Sequence, residues 1–265
     1  MRSYSSKISL TKNSRGVYSI DPSIGCASGM AFGKNGCYDD CYAARIARIY
    51  GYDFTKTIYR DFENTKHLKS ILSAIKKIDL PFIRMGTMGD PSENWEHTIK
   101  ICELLQSSRQ LNLFESDERK EIVIITKHWN VLTDEQMQRI EKLKICINTS
   151  ISAIDKPESL LLCIEQYERL AKVCKSILRI VSFDFNAENK QGLKYAEIQK
   201  NLFSQYVMID TVFRASKSNR LVTDGIINVH KTRFLGKKTL ISKFNKKTYF
   251  GHCNNCLEMC GVKMK

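Results

Sequence analysis

The amino-acid sequence predicts an α/β fold built on a parallel sheet. Segments with the period of an amphipathic helix alternate five times with short runs that are rich in β-branched residues. An apolar fraction of 43 % over 265 residues suffices for a buried core in one large domain or two small ones. Only four prolines occur and no low-complexity tract is present, which argues against extensive disorder. Repeated strand–helix units imply parallel strands with helices packed outside them.

Each element rests on a residue pattern. A first strand is expected at 16–20, and the clearest strand runs from Glu121 to Thr126, where branched apolar residues follow one another. The helix at 67–78 places its leucines and isoleucines on one face. Thr133 begins a helix that reaches 143, and Pro157 opens the next helix as a first-turn residue. The other predicted strands are 82–85, 145–151, 177–183 and 207–213, and the other helices are 42–50, 95–105, 157–174 and 193–206.

Six strand–helix units predict a partial (β/α)6 TIM-like barrel with parallel strands and an irregular Cys-rich C-terminal extension. The pattern alone also allows an open doubly wound sheet, and in both folds the functional residues gather at the carboxyl ends of the strands. We divide the chain into a barrel at 1–215 and a basic extension at 216–265. Polar residues follow the predicted strands in succession: Gly89, Asp90, Lys127, His128, Asn148, Ser150, Ser182, Asp184, Asp210 and Arg214.

Three cysteines, Cys26, Cys37 and Cys41, lie in a glycine-rich segment behind the first predicted strand. Thiolates are soft ligands that suit zinc, copper(I) or iron–sulfur clusters. A structural zinc site is normally closed by four protein ligands, whereas three ligands leave one position open. Glycines at 25, 29, 33 and 36 allow the segment to fold back so that the three sulfurs converge. We therefore expect a cluster with one iron free for a small molecule, with zinc or plain thiols as the alternatives.

The wider cysteine usage points to a reducing compartment. The N-terminus has no apolar signal region and no run approaches a membrane span, so we expect a cytoplasmic protein with no membrane partner. In that compartment ten cysteines favour metal binding over disulfides. We expect core thiols at four cysteines within apolar helices or strands: Cys102, Cys146, Cys163 and Cys174.

A second cysteine cluster closes the sequence, where Cys253, Cys256 and Cys260 form a C-x2-C-x3-C run. This spacing is a strong signal of metal binding. Three interpretations are open: an auxiliary [4Fe–4S] cluster, a zinc ion with His252 or, more in keeping with the spacing, a distant residue as fourth ligand, or a redox relay or sulfur-bearing site.

The positive charge of the chain predicts a polyanionic partner. The net charge is +14, and residues 214–249 carry ten Lys or Arg side chains against the single acid Asp224. The aromatic rings of Phe234, Phe244 and Tyr249 are interleaved with them. Such a segment suits a nucleic-acid groove with stacking rings, and a solvated basic surface has the same composition.

The cysteine segment, the six βα units and the glycine-rich turn after the second of these strands together resemble the radical SAM superfamily. The run Gly36-Cys37-Tyr38-Asp39-Asp40-Cys41-Tyr42-Ala43 is similar to phage-associated proteins with a three-cysteine motif. The resemblance covers residues 16–215 by order of elements. It implies a [4Fe–4S] cluster that chelates S-adenosylmethionine (SAM) and cleaves it reductively to a 5′-deoxyadenosyl radical, which abstracts a hydrogen from a substrate in order to modify or repair it. The basic C-terminal third, and not the resemblance, indicates a nucleic acid or a nucleotide as that substrate. The resemblance also implies an electron donor such as flavodoxin or ferredoxin.

The resemblance also assigns residues. Cys37 and Cys41 match the first two cysteines of C-x3-C-x2-C, the third position falls on Ala44, and Cys26 takes its place. The turn at 86–91 resembles the one that holds the SAM amino group, with Asp90 in place of a glutamate. The implied SAM contacts are Tyr42, Gly86, Gly89 and Asp90, with Lys127 at the carboxylate and Asn148 and Ser150 at the ribose.

Two other functions fit the same residues. One is a zinc-stabilised nucleic-acid-binding protein without redox chemistry. The other is a metal-dependent nuclease that uses acids at the rim of the sheet, namely Asp90, Glu93, Asp184 and Asp210.

Overall fold

The structure is a computed structural model that describes residues 5–13, 16–33, 36–62, 64–107, 120–213 and 215–228. Its strands are β1 (Thr11–Lys12), β2 (Tyr18–Ser19), β3 (Ser23–Ile24), β4 (Ile58–Tyr59), β5 (Phe82–Met85), β6 (Glu121–Thr126), β7 (Ile145–Ile151), β8 (Lys175–Ser182) and β9 (Ile209–Val212). Its helices are α1 (Ala27–Ala31), α2 (Tyr42–Ile49), α3 (Thr65–Lys76), α4 (Trp95–Ser107), α5 (Asp134–Glu141), α6 (Pro157–Leu170), α7 (Lys190–Gln205) and α8 (Arg220–Thr223).

Seven strands form one sheet in the order β1-β2-β5-β6-β7-β8-β9. Within this sheet β1 runs antiparallel to β2, and all the other neighbouring strands are parallel. Strands β3 and β4 pair antiparallel in a separate two-stranded sheet. This order follows the chain without reversal, whereas a doubly wound sheet reverses at a switch point. The predicted α/β class with a mostly parallel sheet is confirmed, and the architecture is compatible with a partial α/β barrel.

Helices α3 to α7 pack on one face of the sheet. Isoleucines of β5, β6 and β7 meet α3, α4 and α5 in one apolar cluster, and β8 meets α6 and α7 in another. The first turn of α5 is fixed by a capping box between Thr133 and Gln136, as the sequence predicts for its start. Among the described helices, none combines the length and apolar character needed to cross a bilayer.

The opposite face of the sheet is layered. Side chains alternate along a strand, so every second residue points away from the helices. Near the amino ends of the strands these residues form an apolar floor of Val17, Phe82, Val123, Cys146, Ile177 and Ile209. Two residues further on, the same strands place a mainly polar layer of Ser19, Arg84, Ile125, Asn148, Arg179 and Thr211. The next layer is the carboxyl edge, with Asp21, Gly86, Lys127, Ser150, Val181 and Phe213.

Helix α6 is shorter than the sequence predicts, ending at Leu170 rather than at Cys174. The amides of Val173 and Cys174 both donate to the carbonyl oxygen of Leu170, and this turn leads directly into β8, which begins at Lys175. No glycine or proline marks this turn in the sequence, so the apolar pattern runs past the helix end. Of the four predicted core thiols, Cys102, Cys146 and Cys163 are buried, and Cys174 is half-buried against the core.

The first part of the predicted C-terminal extension packs on the sheet. Ile227 forms an antiparallel bridge with Phe185, and the amide of Asn228 donates to the carbonyl of Asp184 at 2.7 Å. Asn219 is buried and its Nδ2 donates to the carbonyl oxygen of Tyr38 at 2.9 Å. Residues 215–228 therefore hold the cysteine segment in place.

Candidate metal centre at the carboxyl edge of the sheet

Cys26 is fixed beside the glycine-rich turn that follows β5. The preceding residue Gly25 forms a parallel bridge with Gly89, and its amide donates to the carbonyl of Met88 at 2.9 Å. Gly25 has a φ of +87°, and a Cβ atom there would lie 2.0 Å from the carbonyl oxygen of Lys56. Only glycine fits this position, and the cysteine segment thereby contacts the turn that the sequence associates with it.

The three thiols lie beside two glycines, with Cys26 and Cys37 at Gly29 and Cys41 at Gly36. A Cβ atom on Gly29 would lie 2.7 Å from Cys26 Sγ and 3.1 Å from Cys37 Sγ, so both sulfurs lie against the same residue. A Cβ atom on Gly36 would lie 2.6 Å from Cys41 Cβ and 3.7 Å from its Sγ. Gly29 therefore leaves the space in which the sulfurs of Cys26 and Cys37 approach each other, and a grouping of all three sulfurs is not seen among the described residues.

Local structure orients two of these cysteines. Cys26 is the N-cap of α1, and its Sγ accepts a hydrogen bond from the amide of Gly29 at 3.3 Å. Cys41 is the N-cap of α2, whose first turn therefore points its amides towards this region.

The surroundings of Cys26 and Cys37 favour the protonated thiol. Burial raises the pKa of Cys26, and the charges of Asp90, Cys37 and Glu93 raise it further. Burial also raises the pKa of Cys37 to about 12, against the opposing charge of Lys127. Metals bind thiolates, so a cation that occupies this site must displace protons.

Glu93 lies closer to the cysteines than its place in the sequence suggests. Its Oε1 accepts a hydrogen bond from the amide of Ser28 at 2.9 Å and another from the thiol of Cys26 at 3.5 Å. The side chain thereby joins the short helical turn at Pro91–Asn94 to α1. Sequence reasoning named Glu93 only as an acid at the rim, and its spacing from Asp90 is the one signal that could have linked it to the turn.

Asp90 is bound on nearly all sides by the protein. Its carboxylate accepts hydrogen bonds from the amide and hydroxyl of Ser92, from the hydroxyl of Thr126 at 2.6 Å and from the amide of Lys127 at 2.8 Å. Burial raises its pKa, and these hydrogen bonds oppose the rise. Asp90 thus ties the turn after β5 to the end of β6, and its assignment to the SAM amino group stays a prediction.

The amides of the glycine-rich turn are occupied by Asp21, which sequence reasoning missed. The carboxylate of Asp21 accepts from the amides of Gly86 at 2.9 Å, Thr87 at 2.8 Å and Met88 at 3.0 Å. Gly86 has a φ of +88°, and a Cβ atom there would lie 2.2 Å from the carbonyl oxygen of Ile125. The only sequence signal for Asp21 is that it is an acid immediately after the first predicted strand, at 16–20.

Gly89 is needed for a close approach of two chain segments. A Cβ atom on Gly89 would lie 2.7 Å from the carbonyl oxygen of Ser23 and 2.9 Å from that of Gly25. Gly86 and Gly89 thus hold the turn against its neighbours, and their predicted contact with SAM stays a prediction.

Lys127 belongs to a buried ion pair. Its Nζ lies 2.7 Å from Asp155 Oδ2, donates to the hydroxyl of Tyr38, and stands 4.8 Å from the centre of the Tyr38 ring. Burial lowers the pKa of Lys127, but the negative charge of Asp155 and the hydrogen bonds to Asp155 and Tyr38 outweigh burial and raise it. The predicted contact of Lys127 with the SAM carboxylate is untested, and this Nζ is already engaged by the two side chains.

Tyr38 rather than Tyr42 points into the site. Tyr38 has a φ of +57° and packs its ring edgewise on Phe183 and Phe213. Tyr42 begins α2, is 61 % exposed, and has the guanidinium of Arg45 6.0 Å from its ring centre. The left-handed backbone at Tyr38 has no sequence signal, because tyrosine rarely adopts it.

The residues predicted to meet the ribose occupy two different layers. Asn148 is fully buried in the polar layer, where its Oδ1 accepts from Arg179 Nη2 at 2.9 Å. Ser150 lies one layer further towards the carboxyl edge and is 9 % exposed. Of the two, Ser150 is nearer to the level of the cysteines.

The acids proposed for a nuclease are spread over the fold. Ile209 belongs to the apolar floor, and adjacent residues of a strand point to opposite faces of the sheet. The side chain of Asp210 therefore lies on the helix side of β9. Asp184 follows β8, whereas Asp90 and Glu93 accompany the cysteines. Over the described ranges, no three His, Cys, Asp or Glu side chains are grouped to hold a single metal ion.

Two predicted features lie outside the described residues: the cysteines Cys253, Cys256 and Cys260, and most of the basic segment at 214–249. They stay predictions.

No protein-family model, curated protein or solved structure matches this chain.

Proposed function

We propose that this chain is a radical SAM enzyme that binds a [4Fe–4S] cluster through Cys26, Cys37 and Cys41. The supporting observation is that Cys26 and Cys37 lie against Gly29 and Cys41 against Gly36, while Gly25 bridges to Gly89 of the turn at 86–90. Three thiolates leave one iron of such a cluster without a protein ligand. The resemblance of the sequence supplies the second ligand, SAM, for that iron.

The surroundings of the thiols suit a cluster. Cys26 is 8 % exposed and packs with Ala43, Ala44 and Phe54, while Trp129 and Met88 pack against the same group. The ring of Phe32 lies 4.9 Å from that of Trp129. An apolar wall excludes water, which strengthens charge interactions within the site and shields reactive species.

The bound cluster would supply the electron that cleaves SAM, and the chain's own residues would do the positioning. Asp21 and Asp90 fix the turn after β5, and Lys127 with Asp155 fixes the segment between Cys37 and Cys41 through Tyr38. The strand order and the single helix-covered face support a partial (β/α)6 barrel as the scaffold. Such a barrel carries its site at the carboxyl ends of the strands, where the cysteines lie.

Anaerobic purification tests the proposal. We expect iron and acid-labile sulfide in the wild-type protein, and 5′-deoxyadenosine after addition of dithionite and SAM. Cys37→Ala should abolish the 5′-deoxyadenosine and lower the iron content by about four per chain, the number in a [4Fe–4S] cluster. The matched control is Cys174→Ala, because Cys174 packs against the helix-side core away from the site. A colourless protein with zinc and without sulfide would contradict the proposal.

The positive charge supports two partners within this proposal: a polyanionic substrate and an acidic electron donor of the flavodoxin or ferredoxin type. A net charge of +14 attracts both by long-range electrostatics. Reduction of the cluster by such a donor should slow as ionic strength rises, which stopped-flow absorbance measures directly. A rate that is independent of salt would argue against electrostatic docking of the donor.

A further inference from the structure

Helix α2 exposes aromatic, apolar and basic side chains on one face. Tyr42 is 61 % exposed, Ile49 is 69 % exposed, and Arg45 between them is exposed as well. Positions i, i+3 and i+7 of a helix lie on the same face, so these three side chains form one surface, which we call the α2 face. Tyr50, the C-cap of the helix, adds a second tyrosine that is 62 % exposed. Contiguous exposed apolar groups of this kind mark interaction sites.

The opposite side of α2 packs towards the first cysteine. Ala43, Ala44 and Ala47 are buried in one cluster with Cys26 and Phe54. The short side chain of alanine lets the helix lie close to this cluster, and a helix with its side chains is about 10–12 Å across. A partner on the α2 face is therefore separated from Cys26 by about one helix diameter.

The charge of α2 favours a polyanionic partner. The helix carries two arginines and no acidic residue. The nearest acids on either side in the sequence accept hydrogen bonds from the protein: Asp40 from the amide of Ser216 at 3.1 Å, and Asp53 from the hydroxyl of Thr55 at 2.6 Å. The net charge of +14 opposes the approach of a second copy of this chain and attracts a polyanion.

The chemistry of the α2 face suits the bases of a nucleic acid. The guanidinium of Arg45 stands 6.0 Å from the centre of the Tyr42 ring, at the outer limit of a cation–π contact. This contact is weak, so a base can replace it. Aromatic rings and guanidinium planes are the surfaces on which unpaired bases stack, and arginine also binds phosphate.

A second exposed ring with a cation adjoins the same cluster. Phe32 is 46 % exposed, and the Nζ of Lys156 lies 5.7 Å from its ring centre. The Phe32 ring lies 4.9 Å from that of Trp129, which packs against the cluster around Cys26. A single strand extends over several nucleotides, so two such positions serve one ligand without touching each other.

We propose that the α2 face binds single-stranded nucleic acid, with a base stacked on Tyr42 and a phosphate bound by Arg45. The bases of a duplex are already stacked on one another, which is why the ligand is single-stranded. That this strand is also the substrate rests on the proposed function, because α2 adjoins Cys26. The binding itself requires no cluster and is measured separately.

Fluorescence anisotropy of the full-length protein tests the site. The probes are labelled strands of oligothymidine DNA and oligouridine RNA, the duplex of the DNA strand, and an abasic strand of equal length that keeps its phosphates. Polyglutamate, a polyanion with neither bases nor phosphates, represents an acidic protein.

Two variants remove the two contacts separately, and each has a matched control. Tyr42→Ala removes the ring, and Tyr42→Phe keeps it. Arg45→Gln removes one positive charge from the α2 face, and Lys200→Gln removes one from the exposed surface of α7 on the helix side of the sheet. Thermal midpoints show whether each variant folds, and the Arg45 pair tests the site by itself where Tyr42→Ala does not fold.

We expect the wild type and Tyr42→Phe to bind a single strand more tightly than the duplex or the abasic strand. Tyr42→Ala should bind it at least about fivefold more weakly, because one base loses its stacking partner, with the salt dependence unchanged. Arg45→Gln should reduce the slope of log affinity against log salt by about 0.7, the contribution of one phosphate on a single strand. Lys200→Gln should keep the wild-type slope.

Three results would overturn the site. Wild-type affinity in Tyr42→Ala would exclude stacking on that ring, and equal affinity for the abasic strand would exclude recognition of bases. Binding of polyglutamate in place of the single strands would assign the α2 face to an acidic protein.

Iron and sulfide content of the same wild-type samples separates the two proposals. An intact cluster without binding of single strands contradicts the α2 face alone. Binding of single strands through Tyr42 without any iron or sulfide contradicts the proposed function alone.

Discussion

Gly29 lies within α1, and a Cβ atom on it would lie 2.7 Å from the sulfur of Cys26 and 3.1 Å from that of Cys37. Gly29→Ala should stabilise α1 by up to about 1 kcal/mol through helix propensity. The new methyl group should also push apart the sulfurs of Cys26 and Cys37, which have flexible side chains. We therefore expect iron content to fall by more than half while the thermal midpoint falls little.

The control for this prediction is Ser28→Ala, which changes the neighbouring residue of α1 without adding an atom towards the sulfurs. It should keep the wild-type iron content. Full iron content in Gly29→Ala would show that the space at Gly29 is not used by a cluster.

His128 makes the stability of the fold dependent on pH. Burial lowers its pKa to about 3, and the unfolded chain has the ordinary value of 6.5. Between these two values the unfolded state binds the extra proton, so stability is complete above 6.5 and decreases as the pH falls. From pH 7 to pH 5 the loss should be about 2 kcal/mol, measured by urea unfolding.

His128→Asn is the variant for this prediction, because its φ of +51° is one that asparagine tolerates. Its stability should lose about 2 kcal/mol less than the wild type over the same change in pH. An unchanged pH dependence would assign the acid sensitivity to other groups.

At the scale of elements, the buried pair of Lys127 and Asp155 joins three segments. Lys127 follows β6, Asp155 follows β7, and Tyr38 brings in the turn between Cys37 and Cys41. Asp155→Asn leaves a buried ammonium without its countercharge, so we expect a loss of about 3–5 kcal/mol in denaturant unfolding.

The double variant Lys127→Met/Asp155→Asn removes both charges and should recover most of that loss, because neither charge is then buried alone. A double-mutant cycle with the two single variants measures this coupling. Additive losses would show that the two side chains act independently, against the contact described here.

The extent to which elements could be predicted depended on their length. Strands β5, β6 and β7 have the bounds that the sequence predicts, because β6 is a run of five β-branched residues, β7 has a β-branched residue at every second position, and β5 is a short apolar run interrupted only by Arg84. Strands β1, β3 and β4 have two residues each, and α1 has five, too few for a period to be visible.

The site was predictable where its chemistry is local in sequence. The cysteine segment and the turn at 86–90 were identified, and the structure joins them through Gly25 and Gly89. Asp21, Tyr38 and Asp155 were missed because their partners are distant, such as Thr87, which lies 66 positions from Asp21. Such contacts depend on how the strands are ordered, which residue patterns do not determine.

At the scale of the whole molecule, the charge predicts salt-dependent binding of nucleic acid. We expect the affinity for duplex DNA to fall linearly with salt on logarithmic axes, with a slope of about 0.9 for each phosphate contact. Replacing Lys237, Lys238, Lys243, Lys246 and Lys247 by Gln should reduce that slope in fluorescence anisotropy titrations. Replacing the same residues by Arg keeps the charge and should keep the slope, and equal slopes in both variants would place the contacts elsewhere.

The hydrogen bond from Asn219 to Tyr38 spans 181 positions of the chain, and Ser216 likewise donates to Asp40. During synthesis the cysteine segment leaves the ribosome long before these partners exist. The segment therefore takes its final form only after translation has passed Asn219. Until then its thiols lack these contacts, so a cluster of the kind we propose would enter its final surroundings only after residue 219 has been translated.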